Sequence, residues 1–267
     1  MDHRRIEWLL LVLFLLVDIY LGVDMWNNPI SLETGSSAVT TTTSLKSEMK
    51  SDNITLPKLS RDSRSGYYLA SQGEESLTNS GKKLSSNVET NYSASDQTLY
   101  GTLRIPISLQ DMSLNKFKNN TNYVPNGKRF QYVKYLSTNS SYVYVQKSQY
   151  GQIYSNLGQL TITVKDGQIT GFYETYLSDL SSVRELQSTV SQWRAVTSLY
   201  TNRQLPNNSK VLKVTLGYTK LTKVRGSTIF IPTWLIWIEN KSNKNTTLKR
   251  VNAFNGQYLQ GSSLDDN

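Results

Sequence analysis

Hydrophobic and polar positions divide the chain into three stretches of different pattern. Ile6 to Val23 is an almost unbroken apolar run interrupted by Glu7 and Asp18. As a helix, a run of this length reaches roughly 27 Å, close to the roughly 30 Å hydrocarbon core of a bilayer. Trp8 lies near one boundary, and Tyr20 and Trp26 lie near the other, as interfacial aromatic residues do. From Thr34 to Ser65 no apolar period is kept, and 14 of 32 positions are Ser or Thr. That composition reads as a flexible stalk.

From Tyr67 onward, alternation with a period of two dominates. It predicts strands over 98–107, 129–136, 142–147, 159–165, 169–176, 210–218, 228–239 and 247–254. Asp166-Gly167 predicts a tight hairpin, and Asn255-Gly256 a second turn before Gln257-Tyr258-Leu259. One segment has helical spacing instead: Val183, Leu186, Val190, Trp193 and Tyr200 form a stripe. Ser182-Val183-Arg184-Glu185 reads as its capping box, so the helix is expected from Ser182 to about Asn202, ahead of Pro206. A weaker helix is expected over 109–118.

The pattern therefore predicts an α+β protein with a single N-terminal transmembrane helix and two tandem domains outside the membrane. Its layout is a tail over 1–5, a span over 6–23, a Ser/Thr-rich stalk over 24–65, and α+β domains over 66–155 and 156–267. Each domain is expected to be an antiparallel sheet packed with a helix.

Charge orients this layout. Arg4 and Arg5 precede the apolar run and no Lys or Arg follows it until Lys46, which keeps the N-terminus cytoplasmic and places the rest outside the cell membrane. A cleaved signal peptide is the rival reading, but the nearest small-x-small triplet, Ser36-Ser37-Ala38, lies far beyond the run. The net charge of +9 is spread over scattered lysines. Outside the membrane it suits a solvated surface, anionic wall polymers or an acidic protein partner, and no nucleic acid.

The residue types missing from the chain narrow its chemistry. The absence of cysteine excludes a lipoprotein anchor, disulfides and thiolate metal sites. The single histidine, His3, falls in the tail, leaving no external His for catalysis or metal binding. Ser-x-x-Lys occurs at Ser47, Ser80 and Ser113, with no Ser-Asp-Asn or Lys-Thr-Gly companion, and is read as coincidence. Glu174 and Asp179 flank the expected helix start, but Asp179 is better read as a favourable charge near a helix N-terminus, and no carboxylate pair stands out. Trp234 and Trp237 stand three apart on a strand and so face opposite ways, which puts at most one in a core unless a bulge intervenes. No enzyme activity, cofactor or metal is expected.

An acid within the membrane is the remaining candidate. At a helix centre it costs roughly 2.5–3.5 kcal/mol, and Asp18 lies roughly 7.5 Å from the outer end of the run, where the cost is smaller. Asp18 shares a helix face with Leu11, Phe14, Leu15 and Gly22, a surface suited to another transmembrane helix. Two readings of Asp18 stand together: contact with a partner, and snorkelling to the headgroups.

The start Met1-Asp2-His3-Arg4-Arg5-Ile6-Glu7-Trp8, the acid in Leu16-Val17-Asp18-Ile19-Tyr20-Leu21, the Ser/Thr stalk and the segment Val251-Asn252-Ala253-Phe254-Asn255-Gly256 together resemble the YycI family. These are membrane-anchored accessory regulators of the WalK/WalR (YycG/YycF) two-component system in low-GC Gram-positive bacteria. The resemblance implies a YycH-like partner, contact with the WalK/YycG-like sensor histidine kinase through transmembrane helices, and modulation of its autophosphorylation. It also implies an external α+β fold similar to part of YycH. Two alternatives from other classes are a wall-polymer or peptide binding module on a passive tether, and a Ser/Lys hydrolase.

Overall fold

The computed structural model describes Trp8, Leu11, 13–15, Val17, Asp18, 36–71 and 77–260. The chain divides into two compact units, Met1–Glu48 and Met49–Asn267. In the first, Trp8, Leu11, Leu13, Phe14, Leu15, Val17 and Asp18 are all helical. Helix α1 is Ser36–Ser51. The expected stalk is therefore helical in this part, and it also supplies core residues: Met49 and Ile54 are buried, with Leu56 and Leu59 packed beside them. Their apolar side chains are too widely spaced to show a period, and the Ser and Thr around them dominate the local pattern.

The second unit is an antiparallel-rich α+β structure with one large sheet and few helices. Its elements in chain order are β1 (Ser65–Gly66), β2 (Leu69–Ser71), α2 (Thr78–Gly81), β3 (Val88–Ser93), β4 (Thr98–Ser108) and α3 (Leu114–Asn119). There follow β5 (Phe130–Tyr132), β6 (Ser141–Ser148), β7 (Gly151–Ile153), β8 (Gln159–Lys165), β9 (Gln168–Glu174), β10 (Leu180–Ser182) and β11 (Gln187–Ser188). Helix α4 (Gln192–Thr201) then leads to β12 (Ser209–Val224), β13 (Ser227–Asn240), β14 (Thr246–Asn252) and β15 (Tyr258–Leu259). The sheet runs β10-β2-β13-β12-β7-β6-β8-β9-β4-β3, with β5 added to β6 and β14-β15 added to β13.

Two groups of strands meet in this sheet. β3, β4, β9, β8 and β6 form one meander-like group, over which Phe117 of α3 packs with Phe172, Leu160 and Leu99. β12 and β13 form a long hairpin, over which Ala195, Val196 and Leu199 of α4 pack with Trp234, Ile236 and Ile238. The groups join where β7 lies parallel to β12 at Ile153 and Tyr218, through a 2.7 Å bond from the Tyr154 N–H to the Tyr218 carbonyl. The β8-β9 hairpin, which follows position 155, is seated between β6 and β4 of the first group.

The Asp166-Gly167 turn forms as expected, with φ of 50° and 74°, the left-handed pair that a tight hairpin needs. At the middle of β9, Gly171 is required for a different reason. A Cβ there would press into the Gly101 carbonyl oxygen of β4, a backbone atom that cannot swing aside. Gly171→Ala is expected to cost about 1–3 kcal/mol as overpacking. Chemical denaturation would measure it, and an unchanged midpoint would contradict this account of the β4-β9 approach.

The expected helix from Ser182 is shorter than its apolar stripe suggests. Residues 180–188 instead pair with the segment that precedes the sheet: β10 joins the large sheet's edge at β2, the Val183 N–H bonds to the Tyr68 carbonyl, and β11 forms a separate two-stranded sheet with β1. Val183 and Leu186 are exposed. The helix begins after Ser191, whose hydroxyl accepts from the Arg194 N–H at 3.2 Å. Edge pairing satisfies the upstream backbone outside a helix, so tertiary contact overrides the capping-box pattern. Asp179 consequently lies in the irregular segment just before β10, with φ 52°, not at a helix N-terminus. The weaker expected helix also shortens, to α3 with Ser113 as its cap.

Both tryptophans of β13 are buried, Trp234 at 0% and Trp237 at 1% exposure. They do face opposite sides, and each side is a core. Trp234 packs with α4, whereas Leu235 and Trp237 pack with Val133, Val145 and Tyr154 of the other group. A central strand covered on both faces needs no bulge to bury two residues three apart.

Candidate functional site

Leu11, Phe14, Leu15 and Asp18 occupy helical positions with exposed side chains, and their three- and four-residue spacing puts them on one face. Leu13 and Val17 belong to the other side and are exposed as well. Gly22, the fifth member of the face expected from sequence, lies outside the described residues. So does much of the expected span Ile6–Val23. Among the described residues no helix is long and apolar enough to cross a membrane.

Among the described residues of the second unit, two of the clefts have distinct chemistry. One, of about 300 Å³, is lined by Asp96, Thr98, Tyr100, Asn156, Tyr173 and Thr175. Here the Tyr100 hydroxyl donates to Asp96 Oδ2 at 2.7 Å. Hydrogen bonds from Ser93 and Tyr100 hold the Asp96 carboxyl below its ordinary pKa, and the same bond raises that of Tyr100. Asp96 is thus a fixed acceptor, already engaged by its own strand neighbours.

The other cleft, of about 520 Å³, lies between the end of α3, the 128–132 segment and β6. Lys118, Lys128 and Lys147 line it with Tyr132 and Tyr144, and no carboxylate does. Lys118 is buried, and its Nζ donates to Asn119 Oδ1 at 2.6 Å, the Gly127 carbonyl at 2.7 Å and the Phe130 carbonyl at 3.2 Å. Burial first, and then the charge of Lys147, lower its pKa from the ordinary lysine value. These lysines carry no sequence signal, because they lie on three separate elements and no spacing along the chain brings them together.

Behind this cleft's group of strands lies an isolated acid. Glu174 ends β9, fully buried, with Oε1 lacking a hydrogen-bond partner and Oε2 at 3.5 Å from the Asn126 N–H. Burial pushes its pKa up to about 7, partly offset by the bonds from Asn126.

The three Ser-x-x-Lys motifs resolve into local structure, Ser80 lying in α2. Ser113 Oγ accepts from the Lys116 N–H at 3.4 Å as a helix cap, and Ser47 and Lys50 lie within α1. Among the described residues no group of three or more His, Asp or Glu side chains is placed to hold a metal ion.

The chain belongs to the YycI family: the family model described as YycI protein matches residues 33–254. Members of that family are membrane-associated regulatory accessory proteins of the YycG/WalK kinase system. Among solved structures, the chain is similar to an uncharacterized protein from Eubacterium rectale ATCC 33656, with 10% identity and a TM-score of 0.48 over 79% of this chain and 92% of that one. It is also similar to the Bacillus megaterium YpeB C-terminal domain, with 13% identity and a TM-score of 0.40 over 85% of this chain and 97% of that one. No curated protein matches it.

Proposed function

We propose that this chain is a single-pass regulator that modulates a WalK/YycG-like sensor histidine kinase of cell-wall homeostasis, acting with a YycH-like partner. Residues 6–23 cross the membrane with the tail over 1–5 in the cytoplasm, and the α+β unit lies outside. The observation that carries the reading is the exposed helical face of Leu11, Phe14, Leu15 and Asp18 in a chain of the YycI family. Four side chains on one helix face, one of them acidic, suit packing against another helix in lipid, where close van der Waals contact and polar pairing drive association. Regulation then needs no chemistry from this chain. Its helix binds one of two packing arrangements of the kinase bundle more tightly, and so shifts the population between them.

Photocrosslinkers at positions 11, 14, 15 and 18 in native membranes are expected to capture the kinase or its partner, and at positions 13 and 17 to capture much less. Asp18→Leu is expected to weaken that capture and alter kinase output. Replacing residues 6–23 by an unrelated membrane helix is expected to abolish regulation. Full regulation by the replaced chain, with no helix-face crosslinks, would defeat this reading and favour a wall-polymer or peptide binding module on a passive tether.

A further inference from the structure

We propose that the cleft between α3, the 128–132 segment and β6 is a binding site for a phosphodiester-linked polyol or saccharide. The evidence is the arrangement of charge within a concave surface. Three ammonium groups line one cleft from three elements, and neither Asp nor Glu accompanies them. Like charges gathered without counter-charges repel, and a bound anion relieves that repulsion more fully in a concavity than on an open surface.

The three lysines have different parts. Lys118 has its three donors committed to Asn119, Gly127 and Phe130, which fixes it as a buried positive charge beneath the cleft. Lys128 and Lys147 are exposed and free to reach a ligand oxygen, Lys147 lying close enough to Lys118 to depress its pKa. A lysine binds phosphate as a mobile point charge that can follow a flexible chain, whereas arginine would offer a planar fork to carboxylate and phosphate alike.

The rest of the lining suits what lies between phosphates. Tyr132 is exposed and stands 5.4 Å from the buried Tyr144, ring centre to ring centre at 59°, so the wall carries an aromatic surface beside the lysines. Asn115 and Gln131 add neutral amides that can bond hydroxyl groups. Charged donors flanked by amides and aromatic faces match a polymer that alternates anionic phosphate with polyhydroxylated carbon. A simple inorganic anion would leave the tyrosines and amides unused. The cleft's register is fixed by the β5-β6 pairing of Phe130, Gln131 and Tyr132 with Gln146, Val145 and Tyr144.

The test uses the full chain in phosphatidylcholine nanodiscs, titrated calorimetrically with a glycerol phosphate hexamer. Saturable binding is expected, weakening as salt rises, with no binding of glycerol. The pair Lys128→Gln and Lys147→Gln is expected to weaken it at least tenfold, and Tyr132→Ala severalfold. The pair Lys220→Gln and Lys223→Gln, which removes the same charge elsewhere, is expected to leave it unchanged. Equal loss in the two lysine pairs would reduce the effect to net surface charge and overturn the proposal. So would absence of saturable binding, or equal affinity for inorganic phosphate. Co-sedimentation with phosphatidylglycerol vesicles that depends on Lys128 and Lys147, in the absence of hexamer binding, would assign the cleft to lipid headgroups and likewise overturn it. The outcome is independent of the helix-face crosslinks, so either proposal can fail alone.

Discussion

Trp234→Ala is expected to lower the unfolding free energy by about 3–5 kcal/mol, the range for removing a large buried aromatic side chain. Trp234 is fully buried among Met49, Ile54, Ala195, Val196 and Leu199, so its loss opens a cavity between β13, α4 and the end of α1 together. Its Nε1–H also donates to the Val190 carbonyl at 2.9 Å, at the segment that leads into α4. Trp237 is a built-in comparison. It is equally buried, but its Nε1–H has no hydrogen-bond partner. Trp237→Phe therefore loses ring volume and sheds an unsatisfied donor, whereas Trp234→Phe loses volume and leaves a carbonyl unpaired. Trp234→Phe is expected to be the worse of the two by about 1–3 kcal/mol, read from urea denaturation of the full chain. Equal midpoints for the two phenylalanine variants would show that the Val190 bond contributes nothing.

Raising the pH through neutrality is expected to destabilise the second unit through Glu174. Its pKa in the folded chain is about 7 against an ordinary 4.5. Between those values the folded state holds a proton that the unfolded state has lost, so unfolding releases protons and stability falls as pH rises. The contribution is fully present below about pH 4.5, declines through about pH 7 and then levels off. Its whole span is about 3–4 kcal/mol, since a tenfold change in proton affinity corresponds to about 1.4 kcal/mol. The physical cause is desolvation: β4 and β8 flank Glu174 at Leu99 and Leu160, and one carboxyl oxygen has no donor to replace water. Glu174→Gln keeps the shape and removes the titration, so its denaturation midpoint is expected to vary less between pH 5 and 8 than that of the parent. A parent and a variant with the same pH slope would contradict the assignment.

Glu174 and the cleft lysines owe these properties to the fold. Along the chain, Glu174 and Asp179 are two acids near an expected helix start, with nothing to set one apart as buried. In the fold, Glu174 is buried on β9 beside Leu99 and Leu160, and Asp179 lies in an irregular segment beyond the strand. The lysines of the cleft are, in sequence, only part of a diffuse positive charge. Lys118, Lys128 and Lys147 become one site because α3 and the 128–132 segment are folded against β6, a juxtaposition no local spacing encodes. The helix face is the opposite case. Leu11, Phe14, Leu15 and Asp18 are neighbours on a helix by arithmetic alone, so their common face is legible before any fold is known.

The same division holds for the architecture. Strict alternation over 159–165 and the Asp-Gly turn after it determined β8, its hairpin and β9, because a two-residue turn and a period of two are local properties. The α+β class followed from such elements, and the YycI resemblance from residues at the chain's start and near its end. Tertiary structure decided the rest. It made 180–182 and 187–188 strands paired with β2 and β1 instead of the first turns of a helix, since those strands supplied the backbone partners. It also drew Met49 and Ile54 out of a Ser/Thr-rich stretch into a core, and buried both faces of β13. A side chain's period tells which residues point the same way, but only packing decides whether anything lies on the other side.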